Sequence, residues 1–378
     1  MNKIIPFSAP DIQKSDLQAI ESVISSGWLV HGKYSEKLEE LFCEYTGAKY
    51  ATTISNCTAG LHLSCLAAGL GPGDAVIVPA QTHVATAHAV EFTGAKAVFA
   101  DVDQLSGNIL LDDLEAKLNS NVKGVIPVHM AGSSCNMKDI KEICVKNDLV
   151  LIEDCAHALG TNISGAHVGT FGITGCFSFY PTKQITTGEG GVVVSNDDQV
   201  IDKVKKLKAF GIDTPPALRT KPGVYDVQSL GYNFRMTDFQ AALGVGQMER
   251  YSENVTRRRE NAERYCELLK NREEISFTNY SDDHSYFLFQ IVLDKSIDRD
   301  RVLLGLKEHG IGVSIHYATP VPLMSYYKDK YGYQADDFPN AVHYGSQSIS
   351  LPVHPKLDRS DIEYVCKTLF RIVLKSSK

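Results

Sequence analysis

One lysine stands out for its setting. In "CFSFYPTKQITTGEGGVVVSN" (residues 176–196) an apolar run is followed by a polar loop holding Lys183. Gly188, Glu189, Gly190 and Gly191 come next, and then a second run rich in β-branched residues. Most lysines are solvated surface groups, and Lys183 alone permits that reading. The alternative is a nucleophile that forms a Schiff base with an aldehyde. Such a lysine must lose its proton near neutral pH, which calls for a desolvated or electropositive setting. A loop between two strands at a sheet edge offers one. The glycines allow a tight turn beside it, since glycine tolerates positive φ, and Glu189 is placed to hold that turn.

Two further positions give the lysine a context. Asp154 ends the run "LVLIED" and could simply cap a helix over "CAHALG". A pyridine ring would give it a sharper role. A buried carboxylate beside a ring nitrogen keeps that nitrogen protonated, which makes pyridoxal phosphate an electron sink. The stretch "TISNCTAGLHLSCLAAGL" passes from strand to helix at Asn56, Cys57 and Thr58. A helix start presents unpaired N–H groups and a favourable dipole to a phosphate, although Asn56 or Thr58 could also be an ordinary cap. There is no Walker loop, and Gly160, Gly165 and Gly169 do not follow a strand as a dinucleotide fingerprint requires.

These residues need a scaffold. From about 48 to 210, strand-like runs ("KYATTIS", "AVIVPA", "KAVFADV", "KGVIPVHM", "LVLIEDC", "GCFSFY", "GVVVSN") alternate with helix-like segments at 58–69, 82–93, 136–147 and 197–210. Near-continuous Val/Ile/Ala strands suit a parallel sheet covered on both faces. The fold class expected is α/β, with ligands at the carboxyl ends of the strands. A Pro- and Gly-rich loop at 213–223 precedes a long helical region from "RMTDFQAALG" to "ELLK". After about 275 the order reads strand, helix, strand, irregular, helix, a smaller α+β unit. The division expected is 1–250, with an N-terminal arm to about 35, and 251–378.

Composition narrows the setting. In 378 residues, 38 basic and 45 acidic side chains leave a net charge of −7 with no basic tract, which argues against nucleic acid as the partner. Nine cysteines, an odd number with no C-x-x-C pair, argue against a disulfide framework or a structural metal site. Neither a signal peptide nor a membrane span is evident, and a reduced, cytoplasmic protein is expected.

The chain resembles the DegT/DnrJ/EryC1/StrS sugar aminotransferases, which are fold-type I pyridoxal-phosphate enzymes. The likeness rests on "SNCTAGLHL", "GPGDAVIVPAQTHVATAHAVEFTGAKAVFADVD", "VIPVHMAG", "LIEDCAHALG", "FSFYPTKQITTGEGGVVVSND" and "GYNFRMTDFQAALG", and more weakly on "SSGWLVHGKYSEKLEELFCEYTGAKYA", "HYATPVPLMSYYKDKYGY" and "ISLPVHP". The resemblance implies that Lys183 is the Schiff-base lysine and that Asp154 pairs with the pyridine nitrogen. His157 would lie near the ring oxygen. Cys57, Thr58 and Ser178 would hold the phosphate, and Asn233 would reach the phosphate of a neighbouring subunit, so that a homodimer shares its active sites. His83 would stack on the ring where the family usually has Phe, Tyr or Trp, and Asn56-Cys57-Thr58 stands where the family often has Ser-Gly-Thr. His31, Arg235, His316 and Tyr317 are candidates for substrate contact, against readings as ordinary surface or core residues; Arg235 could equally brace the dimer. The reaction implied moves an amino group from L-glutamate to a nucleotide-linked keto sugar, foremost a 4-keto-6-deoxyhexose, for cell-surface polysaccharide (lipopolysaccharide, O-antigen) or amino-sugar biosynthesis. Family members with histidine in place of the lysine are dehydratases. A sugar dehydratase, an aminocyclitol aminotransferase and a non-catalytic cofactor-binding protein are the alternatives.

Overall fold

The computed structural model describes residues 3–214 and 220–376, so the middle of the loop expected at 213–223 lies outside the described residues. Two helices open the chain, α1 (Lys14–Ser26) and α2 (Lys33–Thr46). Strands and helices then alternate: β1 (Tyr50–Ile54), α3 (Cys57–Ala67), β2 (Ala75–Pro79), α4 (Val84–Glu91), β3 (Lys96–Ala100), α5 (Leu111–Ala116), β4 (Val122–Val125), α6 (Met137–Lys146) and β5 (Val150–Asp154). A two-stranded ribbon, β6 (Asn162–Ile163) and β7 (Ala166–His167), leads into β8 (Thr174–Ser178), β9 (Gly191–Ser195) and α7 (Asp198–Leu207).

These strands form a seven-stranded sheet in the order β1-β9-β8-β5-β4-β2-β3. Only β9 runs against its neighbours. Every residue of β2 and of β9 is buried, as expected of strands covered on both faces. Alternation along β2 shows why an unbroken apolar run is needed. Val76 and Val78 join the core formed with α3 and α4, whereas Ile77 joins the opposite core with Met137 and Ile140 of α6.

The long helical region is two helices, α8 (Asp238–Glu249) and α9 (Tyr251–Leu269). They break at Arg250, whose guanidinium is held by Asp16 of α1 at 2.8 Å and by Asp11. No proline or glycine marks the joint. The ion pairs come from sequence-distant carboxylates, which is why helical periodicity alone runs through it.

The remaining chain forms β10 (Ile275–Ser276), β11 (Phe289–Leu293), α10 (Arg299–Glu308), α11 (Ser325–Tyr331), α12 (Pro339–Gln347), β12 (Ser348–Leu351) and α13 (Arg359–Val373). Two strands therefore precede α10, and the stretch read as irregular contains α11 and α12. The seven residues of α11 are too few for helical propensity to decide; Tyr327 is instead packed edge-on to Phe99 of β3 and hydrogen-bonded to His88. A second core gathers Tyr265, Ile291, Leu306, Ile349 and Leu369. Ile5 is buried in that core, while Val321, Tyr327, Phe338 and Ala341 are buried against the large sheet.

Candidate active site

Strands β5 and β8 end side by side, and β1 ends two residues before α3 begins. A cavity of about 530 Å³ opens beyond their carboxyl ends. Its wall includes Cys57, Thr58, His83, Asp154, His157, Ser178 and Lys183, together with His316 and Tyr317. Nine sequence candidates thus reach one space from five separate segments.

Asp154 is only 4 % exposed, so its carboxylate needs donors. The Ala156 N–H supplies one at 3.0 Å and the Thr86 hydroxyl another at 2.8 Å. Thr86 in turn meets the Thr82 hydroxyl at 2.8 Å. Thr82 lies just before α4 and Thr86 in its first turn, four residues apart, a spacing visible in the sequence whose target was not. His157, three residues after Asp154, accepts the Ala131 N–H on Nδ1 at 3.3 Å. Its proton therefore sits on Nε2, which faces the Tyr317 hydroxyl at 3.4 Å. Burial holds its pKa well below the usual imidazole value, helped by the nearby Lys183 charge.

At the other end of the cavity, Asn56 caps α3 by accepting the Ala59 N–H at 2.9 Å. Asn56 does act as a cap, and the N–H groups of Cys57 and Thr58 remain without a partner among the described residues. They are free to serve an anion. The Cys57 thiol turns away, donating to the Cys176 carbonyl at 3.5 Å, and burial pushes its pKa far up. Cys57 can offer the cavity only its backbone. Crowding here is severe: a Cβ on Gly191 would lie 2.5 Å from the Phe177 carbonyl oxygen and 3.1 Å from the Cys57 nitrogen. Gly188 has φ +80°, the left-handed turn expected after the lysine, and the Glu189 carbonyl accepts from Thr187 and Gln240 at 2.7 Å.

Lys183 lies between these ends. Among the described residues, no hydrogen bond or ion pair reaches its Nζ; instead it sits 4.5 Å from the centre of the Phe287 ring. Burial lowers its pKa to about 8, against the opposing pull of Asp154 and Cys57. Phe287 also packs on His157, with ring centres 4.5 Å apart. It lies just before β11, over a hundred residues beyond the lysine, and nothing local in the sequence singles it out. Gln184 is a further addition: its Nε2 donates to the carbonyls of His157 and Leu159 and to the Ser285 hydroxyl.

His83 caps α4, accepting the Ala85 N–H, and its ring stands edge-on to Tyr317 at 5.6 Å. His316 bonds Ser350 at 2.9 Å and stacks on Phe7. Three candidates do not enter this cavity. His31 and Arg235 line a separate cleft with Lys205, Lys206 and Lys208, while Asn233 is exposed, its side-chain oxygen bound by Arg235 at 2.9 Å. Behind the site, His129, Glu153 and Cys155 approach one another closely enough to suggest a metal. Two of these three groups are already engaged. Glu153 accepts the N–H groups of Gly169, Phe171 and Gly172 and the His129 Nε2, while His129 Nδ1 accepts from Cys135. It is a buried framework for the loop after β7.

With a carboxylate at one end, an open helix start at the other and a desolvated lysine between them, the cavity fits pyridoxal phosphate. Comparison with known proteins decides the family. The sequence profile of the DegT/DnrJ/EryC1/StrS aminotransferase family matches residues 10–370. The chain belongs to this family. Like its family, it is a pyridoxal-phosphate-dependent aminotransferase of fold type I. Among curated relatives, the spore coat polysaccharide biosynthesis protein SpsC of Bacillus subtilis is 36 % identical over 381 residues, covering 98 % of each chain. Among solved structures, Helicobacter pylori PseC, an aminotransferase involved in the biosynthesis of pseudoaminic acid, is 27 % identical with a TM-score of 0.91, over 99 % of this chain and 100 % of that one. Spr1654 of Streptococcus pneumoniae in its PLP form is 28 % identical with a TM-score of 0.92, over 99 % of each. Among the described residues, no helix of this aminotransferase is long and apolar enough to cross a membrane.

Proposed function

We propose that the protein transfers an amino group from L-glutamate to the ketone of a nucleotide-linked sugar, foremost a 4-keto-6-deoxyhexose, in amino-sugar or cell-surface polysaccharide biosynthesis. The observation that carries the reading is Lys183 facing one cavity together with Asp154 and the open start of α3. The roles of SpsC and PseC in polysaccharide and pseudoaminic acid biosynthesis support a sugar acceptor.

Bound there, pyridoxal phosphate would supply an electron sink for charge developing at the reacting carbon. The N–H groups of Cys57 and Thr58, with the hydroxyls of Thr58 and Ser178, would hold its phosphate. Asp154, oriented by Thr86 and Ala156, would keep its ring nitrogen protonated. His157 would donate its Nε2 proton to the ring oxygen, and His83 would cover the ring. Lys183 would anchor the cofactor and, once released, act as base and acid: its Nζ takes the proton from the donor's Cα and returns one to the sugar carbon in the second half. His316 and Tyr317, which line the same cavity, would contact the substrate.

The proposal includes a homodimer. Asn233, Arg235 and His31 turn away from the cavity of their own chain, and Trp28 and Leu230 are exposed on the same stretches. That arrangement supports sites completed by a second copy. Nine free cysteines support a reducing, cytoplasmic setting. A division near residue 250 is also proposed, supported by the break between α8 and α9 and by the separate core around β11.

The test is a panel of nucleotide-linked keto sugars incubated with the holoenzyme, with and without L-glutamate, and read by mass spectrometry. An amine gained only with glutamate is expected. Loss of a hydroxyl without gain of an amine would establish a dehydratase instead. Replacing Lys183 by Arg should abolish the visible absorbance of the lysine-bound cofactor.

A further inference from the structure

We propose that Phe287 is a positioning residue for Lys183, its ring holding the lysine's ammonium beside His157 whenever that nitrogen is not bonded to the cofactor. This rests on the reading of Lys183 as the cofactor lysine. The geometry is specific. Nζ and the His157 ring each lie 4.5 Å from the Phe287 ring centre, and Phe287 is only 4 % exposed. An electron-rich ring face attracts an ammonium without accepting a strong hydrogen bond. A carboxylate partner would also hold the lysine, but it would pull the group firmly toward its charged form. A ring fixes the nitrogen and leaves it able to give up its proton.

The ring is itself held. The Ser285 N–H donates to the Gly132 carbonyl and the Leu288 N–H to the Ala131 carbonyl, both at 3.2 Å. Buried Arg258 of α9 reaches the carbonyls of Tyr286 and Phe287 at 3.2 and 3.4 Å. Gln184, the lysine's own neighbour, ties the same segment through the Ser285 hydroxyl at 3.1 Å. Lysine and ring are thus locked to one frame.

Other groups facing the ammonium do not replace the ring. Burial lowers the pKa of His83, sends that of His157 far down and brings that of His316 to about 3, so the three imidazoles stay uncharged at working pH. The Tyr317 phenol is raised by burial and stays protonated. Asp154 and Cys57 act on Lys183 through space, and neither bonds it.

The experiment uses the full chain loaded with pyridoxamine phosphate, in which the lysine is not bonded to the cofactor. Acylation of Lys183 is followed against pH by mass spectrometry of its peptide. Phe287 is replaced by phenylalanines of increasing fluorination, which drains the ring face with little change in size. The pH midpoint of labelling should fall stepwise, by about 0.5 to 1 in all. Phe287→Leu should lower it similarly and reduce kcat more than it changes KM for glutamate, and Phe287→Tyr should restore both. An unchanged midpoint across the fluorinated series overturns the proposal, whether or not the leucine variant folds. The underlying reading fails separately: if Lys183→Arg keeps the visible absorbance of the lysine-bound cofactor, Lys183 is not the cofactor lysine, whatever the labelling shows.

Discussion

Replacing Glu153 by Gln should destabilise the protein severely, although the side chain keeps its size. Glu153 is fully buried beside Asp154 in β5 and receives four donors. One oxygen takes the N–H groups of Phe171 and Gly172 at 2.7 and 2.8 Å; the other takes the Gly169 N–H at 2.7 Å and His129 Nε2 at 3.1 Å. A glutamine must turn its NH₂ toward one of these pairs. On the Phe171 side, two backbone donors lose their acceptor. On the Gly169 side, one is lost and His129 would have to move its proton to Nδ1, where the Cys135 N–H already points at 3.1 Å. Either orientation forfeits two hydrogen bonds to a charged group, at about 1.5–3 kcal/mol each. The cost is about 3–6 kcal/mol, set against a total stability of about 5–15 kcal/mol. Urea unfolding followed by circular dichroism measures it as a lower midpoint at unchanged slope. A glutamine variant as stable as the wild type would refute the reasoning.

Asp154→Asn should behave in the opposite way. The amide can keep the Ala156 contact while the Thr86 hydroxyl reverses to accept from it and donates to Thr82, so the unfolding midpoint should barely move; steady-state kinetics should show kcat reduced by about 10²-fold or more, because a fixed charge opposite the cofactor is gone. Lys183 must be neutral to accept a proton, and burial lowers its pKa to about 8, so single-turnover rates of the pyridoxamine phosphate form should rise with pH through about 8 and level off above it. Gly191→Ala would set a Cβ 2.5 Å from the Phe177 carbonyl and 3.1 Å from the Cys57 nitrogen; a loss of about 1–3 kcal/mol in unfolding, together with faster cofactor release on dilution, is expected.

Much of the scaffold could be read directly. Runs such as "AVIVP" and "GVVVS" are apolar at every position because both faces of their strands are covered, and that pattern is local. The break at Arg250 could not be read, since its causes, Asp11 and Asp16, lie more than two hundred residues away. Helix α11 escaped for a similar reason, its packing partners being His88 and Phe99. Behind Asp154, Thr82 and Thr86 had a readable spacing but no readable target. Phe287 had neither.

The sequence by itself determined the α/β class, the strand ends where a ligand would lie, and the presence of a lysine, a carboxylate and a helix start. Each of these is a property of a short window: a run, a cap or a turn. Only the tertiary structure decided which candidates share a cavity and which do not. Sheet order sets that grouping, and β1-β9-β8-β5 is not chain order. The hydroxyl on Asp154, the ring over Lys183 and the N–H that fixes the His157 tautomer all come from distant chain. Burial by that distant chain is also what brings Lys183 down to about 8, because desolvation belongs to the assembled core and to no residue taken alone.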